Sequence, residues 1–352
     1  LTKKRWRAGI QDIVEPLYTV EDVQQTLRYF VRKPYRREEV LTNGMLYRFF
    51  DAGHILGSGS LEIRYRDSAA EKRIVFSGDI GKWGNPIVAD PEHAETADYV
   101  VMEATYGNRL HKPLKESLDE LAEAINETFR QGGNVLIPAF AVGRTQDVLY
   151  LMNRLVSQKR LKPLDVYVDS PLAEEATHIY LNHPELFDRE AAEELRRGIG
   201  TALKLHFTKT VEDSMKINRI HSGAVIIAGS GMCDGGRIRH HFKHNLWRPE
   251  CSVIFVGFQA EGTLGRQIIE GKKRVTIFDE DIAVKAKIYT IGGFSAHADQ
   301  RELLQWLRTF TNKPDVFIIH AEESVAFEFA HLVSSKIGCR TYVPEYGETF
   351  TL

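Results

Sequence analysis

The sequence has little cysteine, no long apolar run and no excess of charge of either sign. Its three cysteines, Cys233, Cys251 and Cys339, are too few and too scattered for a disulfide framework or a cysteine zinc site, so we expect each to be a small buried hydrophobe. No stretch approaches the ~20 apolar residues of a membrane span, and no signal peptide opens the chain. These absences favour a cytoplasmic protein in a reducing compartment, with no membrane partner.

The formal net charge is -2 over 352 residues, so no global positive field attracts nucleic acid, and any such binding must rest on a local patch. The length predicts two domains. The chain opens on Leu1 and a basic run at residues 3–7. That opening is typical of the middle of a longer polypeptide, and we expect the sequence to be a piece of one.

Short β-rich runs followed by polar or glycine-containing loops and helical runs predict an α/β fold with largely parallel strands. These runs lie at 134–138, 224–228, 252–256 and 315–319. Between residues 45 and 103 only turns separate the predicted strands, which indicates a meander feeding a mixed sheet. Those strands lie at 45–50, 60–65, 73–77 and 99–102. Residues 14–40 are predicted to be helical and charged, and apolar residues at i, i+3 and i+4 predict amphipathic helices over 109–131 and 146–159.

Residues capable of chemistry follow the predicted strands repeatedly, where α/β folds bind ligands. They are His54, Asp79, Glu103, His297 and His320. Taken singly, each histidine fits an ordinary loop, Asp79 a turn and Asp299 a helix N-cap. Taken together, two histidines and an aspartate beyond strand ends suit a divalent metal such as zinc.

Five segments resemble, in order, the motifs of the β-CASP branch of the metallo-β-lactamase superfamily. They are DAGHILGSG (51–59), FSGDIG (76–81), EATYGNR (103–109), GFSAHAD (293–299) and IHAEE (319–323). The resemblance implies an αββα metallo-β-lactamase sandwich, incomplete at its N-terminus, over residues 1–108 plus 288–352. An inserted α/β β-CASP domain would span residues 109–287.

The resemblance also implies roles. His54 is similar to a ligand of the first zinc, His320 to a ligand of the second, and Asp79 to the carboxylate that bridges them, with two Zn²⁺ per complete site. Glu103 and His297 are similar to the family's acid–histidine pair, with His297 near the scissile phosphate. The implied reaction is hydrolysis of RNA phosphodiester bonds in RNA processing or decay, by a metal-bound hydroxide, with His297, Glu103 and Asp79 as catalytic residues.

Two departures qualify the resemblance. The family's His-x-His-x-Asp-His motif and the Asp motif before it do not occur, and the family places them upstream of residue 1. This chain therefore carries three of the expected ligands, which leaves its own activity open. Ala321 stands where a glycine usually follows the last histidine, and it fits if its φ is negative.

The insert supplies candidate RNA contacts, because glycine-rich loops at helix starts present backbone N–H groups to phosphate. The predicted phosphate-binding residues are Arg144, Ser230, Gly231, Arg237, Gln259, Thr263, Arg266 and Ser295. A solvated helix face is the competing interpretation of the basic run at 237–248. The predicted partner is single-stranded RNA. A homodimer stays open on general grounds.

Several rival functions remain to be weighed. A nucleotide-binding protein is disfavoured, because Asp234 interrupts the dinucleotide pattern after 229–231 and the loop at 257–263 lacks the P-loop lysine. A serine hydrolase would need a Gly-x-Ser-x-Gly elbow. The stronger rival is a catalytically inactive β-CASP scaffold or fragment that binds RNA or a partner nuclease. A small-molecule hydrolase is a third option. An enzyme is favoured because the chain has all of His54, Asp79, Glu103, His297 and His320. The sequence does not distinguish an endonuclease from an exonuclease.

Overall fold

The computed structural model describes residues 16–67, 70–196 and 202–352. They form a seven-stranded sheet, a six-stranded sheet and a two-stranded hairpin. The strands are β1 (Glu39–Thr42), β2 (Met45–Asp51), β3 (Gly59–Asp67), β4 (Ala70–Phe76), β5 (Tyr99–Glu103), β6 (Val135–Pro138), β7 (Asp165–Val168), β8 (Lys204–Phe207), β9 (Ala224–Ala228), β10 (Ser252–Phe255), β11 (Arg274–Ile277), β12 (Glu280–Ala283), β13 (Lys287–Thr290), β14 (Asp315–Ile319) and β15 (Thr341–Tyr342).

The helices pack on these sheets or lie beside them. They are α1 (Val20–Thr26), α2 (Leu114–Arg130), α3 (Arg144–Ser157), α4 (Pro171–Asn182), α5 (Arg189–Arg196), α6 (Val211–Ile217), α7 (Ile238–Asn245), α8 (Leu264–Ile269), α9 (Gln300–Arg308) and α10 (Glu323–Ile337). Among the described helices, none combines the length and the apolar character needed to cross a membrane.

The seven-stranded sheet has the order β1-β2-β3-β4-β5-β14-β15. Strands β1 to β4 pair antiparallel, whereas β4, β5, β14 and β15 pair parallel. The predicted α/β class and the predicted meander feeding a mixed sheet are therefore confirmed. Because β2, β4, β5 and β14 run in one direction, their carboxyl ends meet at one edge of the sheet.

Helices α9 and α10 cover one face of this sheet with an apolar core. Trp306 and Leu307 of α9 and Phe329 and Val333 of α10 are fully or almost fully buried there. Helix α9 begins at Asp299, whose carboxylate accepts from the Glu302 backbone N–H in a capping box. The N-cap interpretation of Asp299 is thus correct, and the cap fixes where the helix begins.

The six-stranded sheet is entirely parallel, in the order β13-β10-β6-β9-β7-β8. Helices α2 and α3 pack into one hydrophobic core, and α7 and α8 into another. All residues of β6, β9 and β10 are buried, as expected of parallel strands covered on both faces. Strand β13 carries this sheet to Thr290, three residues beyond the predicted end of the insert at 287.

The helix predicted over residues 14–40 is wrong for much of its length. Among the described residues of that range, only α1 and a single 3-10 turn, Leu27–Tyr29, are helical, and β1 follows. Pro34 disfavours helix at the residue before it, because it removes an N–H donor and biases that residue toward extended backbone, but the helical residues already end at Tyr29. Residues 14 and 15 lie outside the described residues. The helix predicted from 109 begins only after Pro113, at Leu114.

A buried carboxylate ties the six-stranded sheet to its helices. Asp169, directly after β7, accepts hydrogen bonds from Ser214 Oγ at 2.6 Å and from His241 Nε2 at 2.7 Å. The Arg237 guanidinium donates to the same carboxylate at 2.7 Å, and the Thr208 hydroxyl also donates to it. Burial alone would raise the pKa of Asp169, but these donors outweigh it and hold that pKa well below its usual range.

Replacing the Asp169 carboxylate should make the protein less stable to unfolding. We expect Asp169→Ala to lower the free energy of unfolding at pH 7 by about 3–5 kcal/mol, because it leaves the buried His241 without its hydrogen-bond partner and Arg237 without its counter-ion. The stabilisation is complete above the unfolded-state pKa of about 4 and declines as pH falls toward the lower folded-state pKa. Urea unfolding measures the change. Asp165→Ala, at a partly exposed carboxylate in β7, is the control; an equal loss there would refute a special role for Asp169.

Candidate active site

The aligned carboxyl ends of the seven-stranded sheet collect the chemically capable side chains. His54 follows β2, Asp79 follows β4, Glu103 is the last residue of β5, and His320 follows β14. His297 reaches the same place from the segment that leaves β13 and enters α9. All five residues singled out in the sequence therefore lie at one edge, as ligand sites in α/β folds do.

Two glycines allow the loops after β2 and β4 to touch. The Gly81 N–H donates to the Ala52 carbonyl at 2.8 Å, and Gly81 also forms a β-bridge with His297. A Cβ on Gly81 would lie 1.9 Å from the Gly53 carbonyl oxygen, so no other residue fits without movement. This close approach sets His54 beside Asp79.

The Asp79 carboxylate lies between two imidazoles. Its Oδ2 is 3.8 Å from His54 Nε2, and its Oδ1 is 3.6 Å from His320 Nε2. These distances are too long for hydrogen bonds, but two ligands about 2.1 Å from one tetrahedral ion are separated by roughly 3.4 Å. Among the described residues, His54, Asp79 and His297 each offer a ligand atom within a mutual 4.8 Å, whereas the predicted ligand His320 is not in that group and approaches only the other Asp79 oxygen. The spacing fits a metal ion.

The state of His54 agrees with that fit. Its Nε2 faces Asp79, while its other ring nitrogen, Nδ1, is buried and finds no hydrogen-bond partner among the described residues. Burial lowers the pKa of His54 to about 3, and the charge of His297 adds to the effect. The ring is therefore neutral at neutral pH, as a metal-ligating imidazole must be.

His297 is held by a buried carboxylate. Its Nδ1 donates to Glu103 at 2.9 Å and 3.1 Å, which leaves its Nε2 for the site. Glu103 also accepts from the backbone N–H groups of Ile80 and Thr105 at 2.7 Å and 3.1 Å. Burial lowers the pKa of His297, but the hydrogen bond and negative charge of Glu103 outweigh it, so that pKa is raised overall. The pKa of Glu103 is lowered despite its burial, mainly by His297.

Sequence reasoning missed two residues that hold the His297 segment. The His111 imidazole donates through Nε2 to the His297 carbonyl at 2.9 Å, and its backbone N–H donates to Asp299 at 3.0 Å. The Lys82 ammonium, itself buried, donates to the Gly293 carbonyl. Both residues closely follow recognised motifs, but nothing in their spacing indicates these contacts.

The junction after β14 departs from ordinary backbone. His320 has a φ of 49°, in the left-handed region that non-glycine residues seldom adopt. Ala321 does not have a positive φ. The alanine at the position where a glycine is usual therefore fits without backbone strain. The unusual conformation falls on the candidate ligand and turns it toward Asp79.

A cleft of about 840 Å³ separates this edge from the six-stranded sheet. The predicted site residues that line it are His54, Asp79, Arg144, Gly231, Gln259, Ser295, His297 and His320. Glu103 lies behind His297, and Ser230, Arg237, Thr263 and Arg266 are not part of the lining. The cleft therefore brings the candidate metal ligands together with half of the predicted phosphate contacts.

The predicted arginines all have acidic partners. Arg144 pairs with Asp147 at 3.0 Å, and Arg237 with Asp169. Arg266 pairs with Glu270 and lies 3.3 Å from Glu322. A phosphate contact from any of them would compete with these pairs, and their RNA-binding roles stay predictions.

The remaining polar candidates have local structural roles. The Thr263 hydroxyl caps α8 by accepting from the Arg266 N–H at 3.2 Å. The Gln259 amide donates to the Gly231 carbonyl at 2.9 Å. The Ser230 hydroxyl accepts from the Gly235 N–H at 3.2 Å. These contacts shape the loops, while phosphate binding by these residues also stays a prediction.

Comparisons with known proteins agree with this geometry. The family model described as the Beta-Casp domain matches residues 145–268, and the one described as the Zn-dependent metallo-hydrolase RNA specificity domain matches residues 281–344. Ribonuclease TTHA0252 of Thermus thermophilus is 35% identical over 337 residues, which are 95% of this chain and 75% of the relative.

Two archaeal proteins are similar over nearly the same part of the chain. The RNase J-like protein of Methanocaldococcus jannaschii is 29% identical over 333 residues, 94% of this chain and 76% of its own length. Transcription termination factor FttA of Pyrococcus abyssi is 32% identical over 353 residues, 96% of this chain and 53% of its own length.

These matches define a metal-dependent hydrolase fold with a β-CASP domain. The chain belongs to the β-CASP branch of the metallo-β-lactamase superfamily, as its five motifs predict.

The contact at Gly81 can be tested directly. We expect Gly81→Ala to lower the free energy of unfolding of the metal-free protein by about 1–3 kcal/mol, because the added methyl group overlaps the Gly53 carbonyl. It should also weaken zinc uptake, since His54 and Asp79 move apart. The control is Gly235→Ala, where a Cβ meets no atom within 4 Å. Wild-type stability and zinc uptake in Gly81→Ala would contradict the packing argument.

Proposed function

We propose that this chain carries the hydrolytic site of a zinc-dependent ribonuclease that cleaves phosphodiester bonds in RNA processing or decay. The single observation that supports it best is the Asp79 carboxylate facing His54 and His320 through separate oxygens, beside a His297 backed by Glu103. The names of the relatives, a ribonuclease and an RNase J-like protein, and the RNA specificity domain support RNA as the substrate.

His54, Asp79 and His320 would hold the metal, which the resemblance gives as two zinc ions per complete site. When bound, zinc lowers the pKa of water and neutralises negative charge that develops on a phosphate. The carboxylate is suited to serve both ions because each of its oxygens faces a different imidazole. Its 43% side-chain exposure leaves room for a substrate phosphate.

His297 would act as the proton donor. Glu103 holds Nδ1, so the mobile proton is the one on Nε2, which is directed toward the cleft and the ligand cluster. The hydrogen bond and negative charge of Glu103 raise the pKa of His297 and so favour the protonated ring. A protonated Nε2 can transfer its proton to the RNA oxygen that leaves phosphorus, or hold a phosphate oxygen.

The cleft would bind RNA as a single strand. Arg144 and Ser295 lie in the same lining as His297, where they can contact phosphate oxygens. Backbone N–H groups of the loops near Gly231 and Gln259 are the further candidates. Recognition mainly through the backbone would leave little dependence on sequence.

Loss of His297 should stop cleavage without removing the metal. We expect His297→Ala to slow hydrolysis of single-stranded RNA by about 10²–10⁴-fold, the usual contribution of a general acid. Zinc content should stay near that of the wild type, because the ring is tied to Glu103 rather than required as a ligand. His331→Ala, an exposed histidine on α10, is the control. Unchanged turnover in His297→Ala would remove its catalytic role.

The bridging role of Asp79 has its own test. We expect Asp79→Asn to lower the zinc-to-chain ratio after extensive dialysis, measured by elemental analysis, because an amide is a weaker ligand than a carboxylate. Asp119→Asn, at an exposed residue on α2, should leave the ratio unchanged. Full zinc retention by Asp79→Asn would contradict the assignment. A wild-type chain that binds RNA but neither holds zinc nor cleaves would favour the inactive-scaffold hypothesis.

A further inference from the structure

The two walls of the cleft differ in chemistry. The wall formed by the seven-stranded sheet carries the imidazoles and the Asp79 carboxylate. The wall formed by the six-stranded sheet carries Arg144 and Gln259 but is otherwise largely apolar and partly open to solvent: Phe140 is 50% exposed, Val142 39% and Leu172 62%. Exposed apolar side chains gathered within a functional cleft indicate a contact surface for a ligand.

Two aromatic side chains, Phe140 and Phe258, line this wall; Phe258 packs edge-on against Tyr106, whereas Phe140 is half-exposed. The backbone of Phe140 is fixed on both sides. It follows Ala139, whose N–H donates to the Ala228 carbonyl at 3.1 Å. The Phe140 carbonyl accepts from both the N–H and the hydroxyl of Thr145, at 3.2 Å and 2.7 Å. The half-exposed ring is therefore attached to a backbone with little freedom to move.

The ring itself also has a support. A Cβ on Gly231 would lie 2.7 Å from Cδ2 and 2.8 Å from Cε2 of Phe140, so the ring packs directly on the Gly231 backbone. Only glycine permits this approach without displacing the ring. The close contact with Phe140 is thus a structural reason for a glycine at position 231, which the sequence alone does not reveal. Gly231 supports an aromatic ring whose remaining surface is open to the cleft.

We infer that Phe140 forms a nucleobase-stacking subsite, on which a base of a single-stranded RNA packs while its phosphate backbone runs along the polar wall. This inference rests on the proposed function. A nucleotide joins a flat aromatic base to an anionic phosphate, and the cleft offers a flat aromatic ring in the same lining as the histidines and Arg144. Because a phenyl ring has no hydrogen-bonding group, the subsite accepts any base.

The subsite can be tested by binding single-stranded oligoadenylate RNA to the protein, with zinc withheld by a chelator so that the RNA stays intact. We expect Phe140→Ala and Phe140→Leu to raise the Kd about 10-fold or more, and Phe140→Trp to stay near the wild type. The dependence of Kd on salt should not change, because no phosphate contact is removed. Phe327→Ala, at an exposed phenylalanine on α10, is the matched control.

A second measurement assigns the loss to stacking. Each base of the oligonucleotide is replaced in turn by an abasic unit. At one position, the abasic unit should raise the Kd of the wild type by the same factor as Phe140→Ala raises it for the intact RNA. The same abasic RNA should raise the Kd of Phe140→Ala little further, which is the signature of two coupled groups. Coupling in Phe140→Leu as well would show that the aromatic ring is required.

The outcomes separate the two claims. If the wild type binds and, with zinc, cleaves RNA while Phe140→Ala or Phe140→Leu binds with wild-type affinity, or if no abasic position couples to Phe140, the stacking subsite is wrong and the proposed function stands. If the zinc-loaded wild type neither binds nor cleaves RNA, the proposed function and the subsite fall together.

Discussion

The site depends on a buried carboxylate, Glu103, that is shared by three segments of the chain. It accepts hydrogen bonds from the Ile80 N–H after β4, from the Thr105 N–H after β5, and from His297 after β13. A carboxylate removed from water is costly unless its oxygens are satisfied. Because donors from these three segments satisfy them, the charge that orients His297 also joins the segments after β4, β5 and β13 at the cleft.

The same carboxylate separates the protonation states of two neighbouring histidines. The rings of His54 and His297 lie 4.4 Å apart between centroids, yet the pKa of one is lowered to about 3 and that of the other is raised. Burial acts on both rings, and only His297 has the Glu103 contact to outweigh it. Under the proposed function, this divergence would suit different chemical tasks. A neutral His54 would donate a lone pair to a metal, while the raised pKa of His297 would favour a ring that can donate a proton.

Sequence patterns predicted the parts of the fold that are local. Strand β9 lies at the predicted residues 224–228 and strand β14 at 315–319, because short apolar runs between glycines and polar loops are strong strand signals. The positions of His54 and His320 at strand ends follow from those strands. The extent of α1 was not predicted. Charged residues at helical spacing continue past Pro34, but the described helical residues of this segment end at Tyr29.

Contacts between distant segments could not be predicted in the same way. Arg237 has the sequence context of a phosphate ligand, in a glycine-rich loop before a helix. Its guanidinium instead donates to Asp169, 68 residues away, as well as to the Thr208 carbonyl. The contact between Gly231 and the ring of Phe140 likewise joins two loops that no periodicity relates. A single sequence does not indicate which distant residues become neighbours in the fold. Roles assigned from the composition of a loop therefore have to be checked against the contacts in the structure.

The pairing of the arginines bears on how such a cleft would hold RNA. The chain is slightly acidic, and Arg144 and Arg266 lie against Asp147, Glu270 and Glu322. Phosphate binding by paired arginines contributes less, because the acidic partner must be displaced or its repulsion overcome. The affinity of the proposed RNA complex would then come mainly from the metal site, backbone N–H groups and base stacking. Of these, stacking involves no charge, so a strand could stay bound through Phe140 while its phosphate is positioned at Asp79.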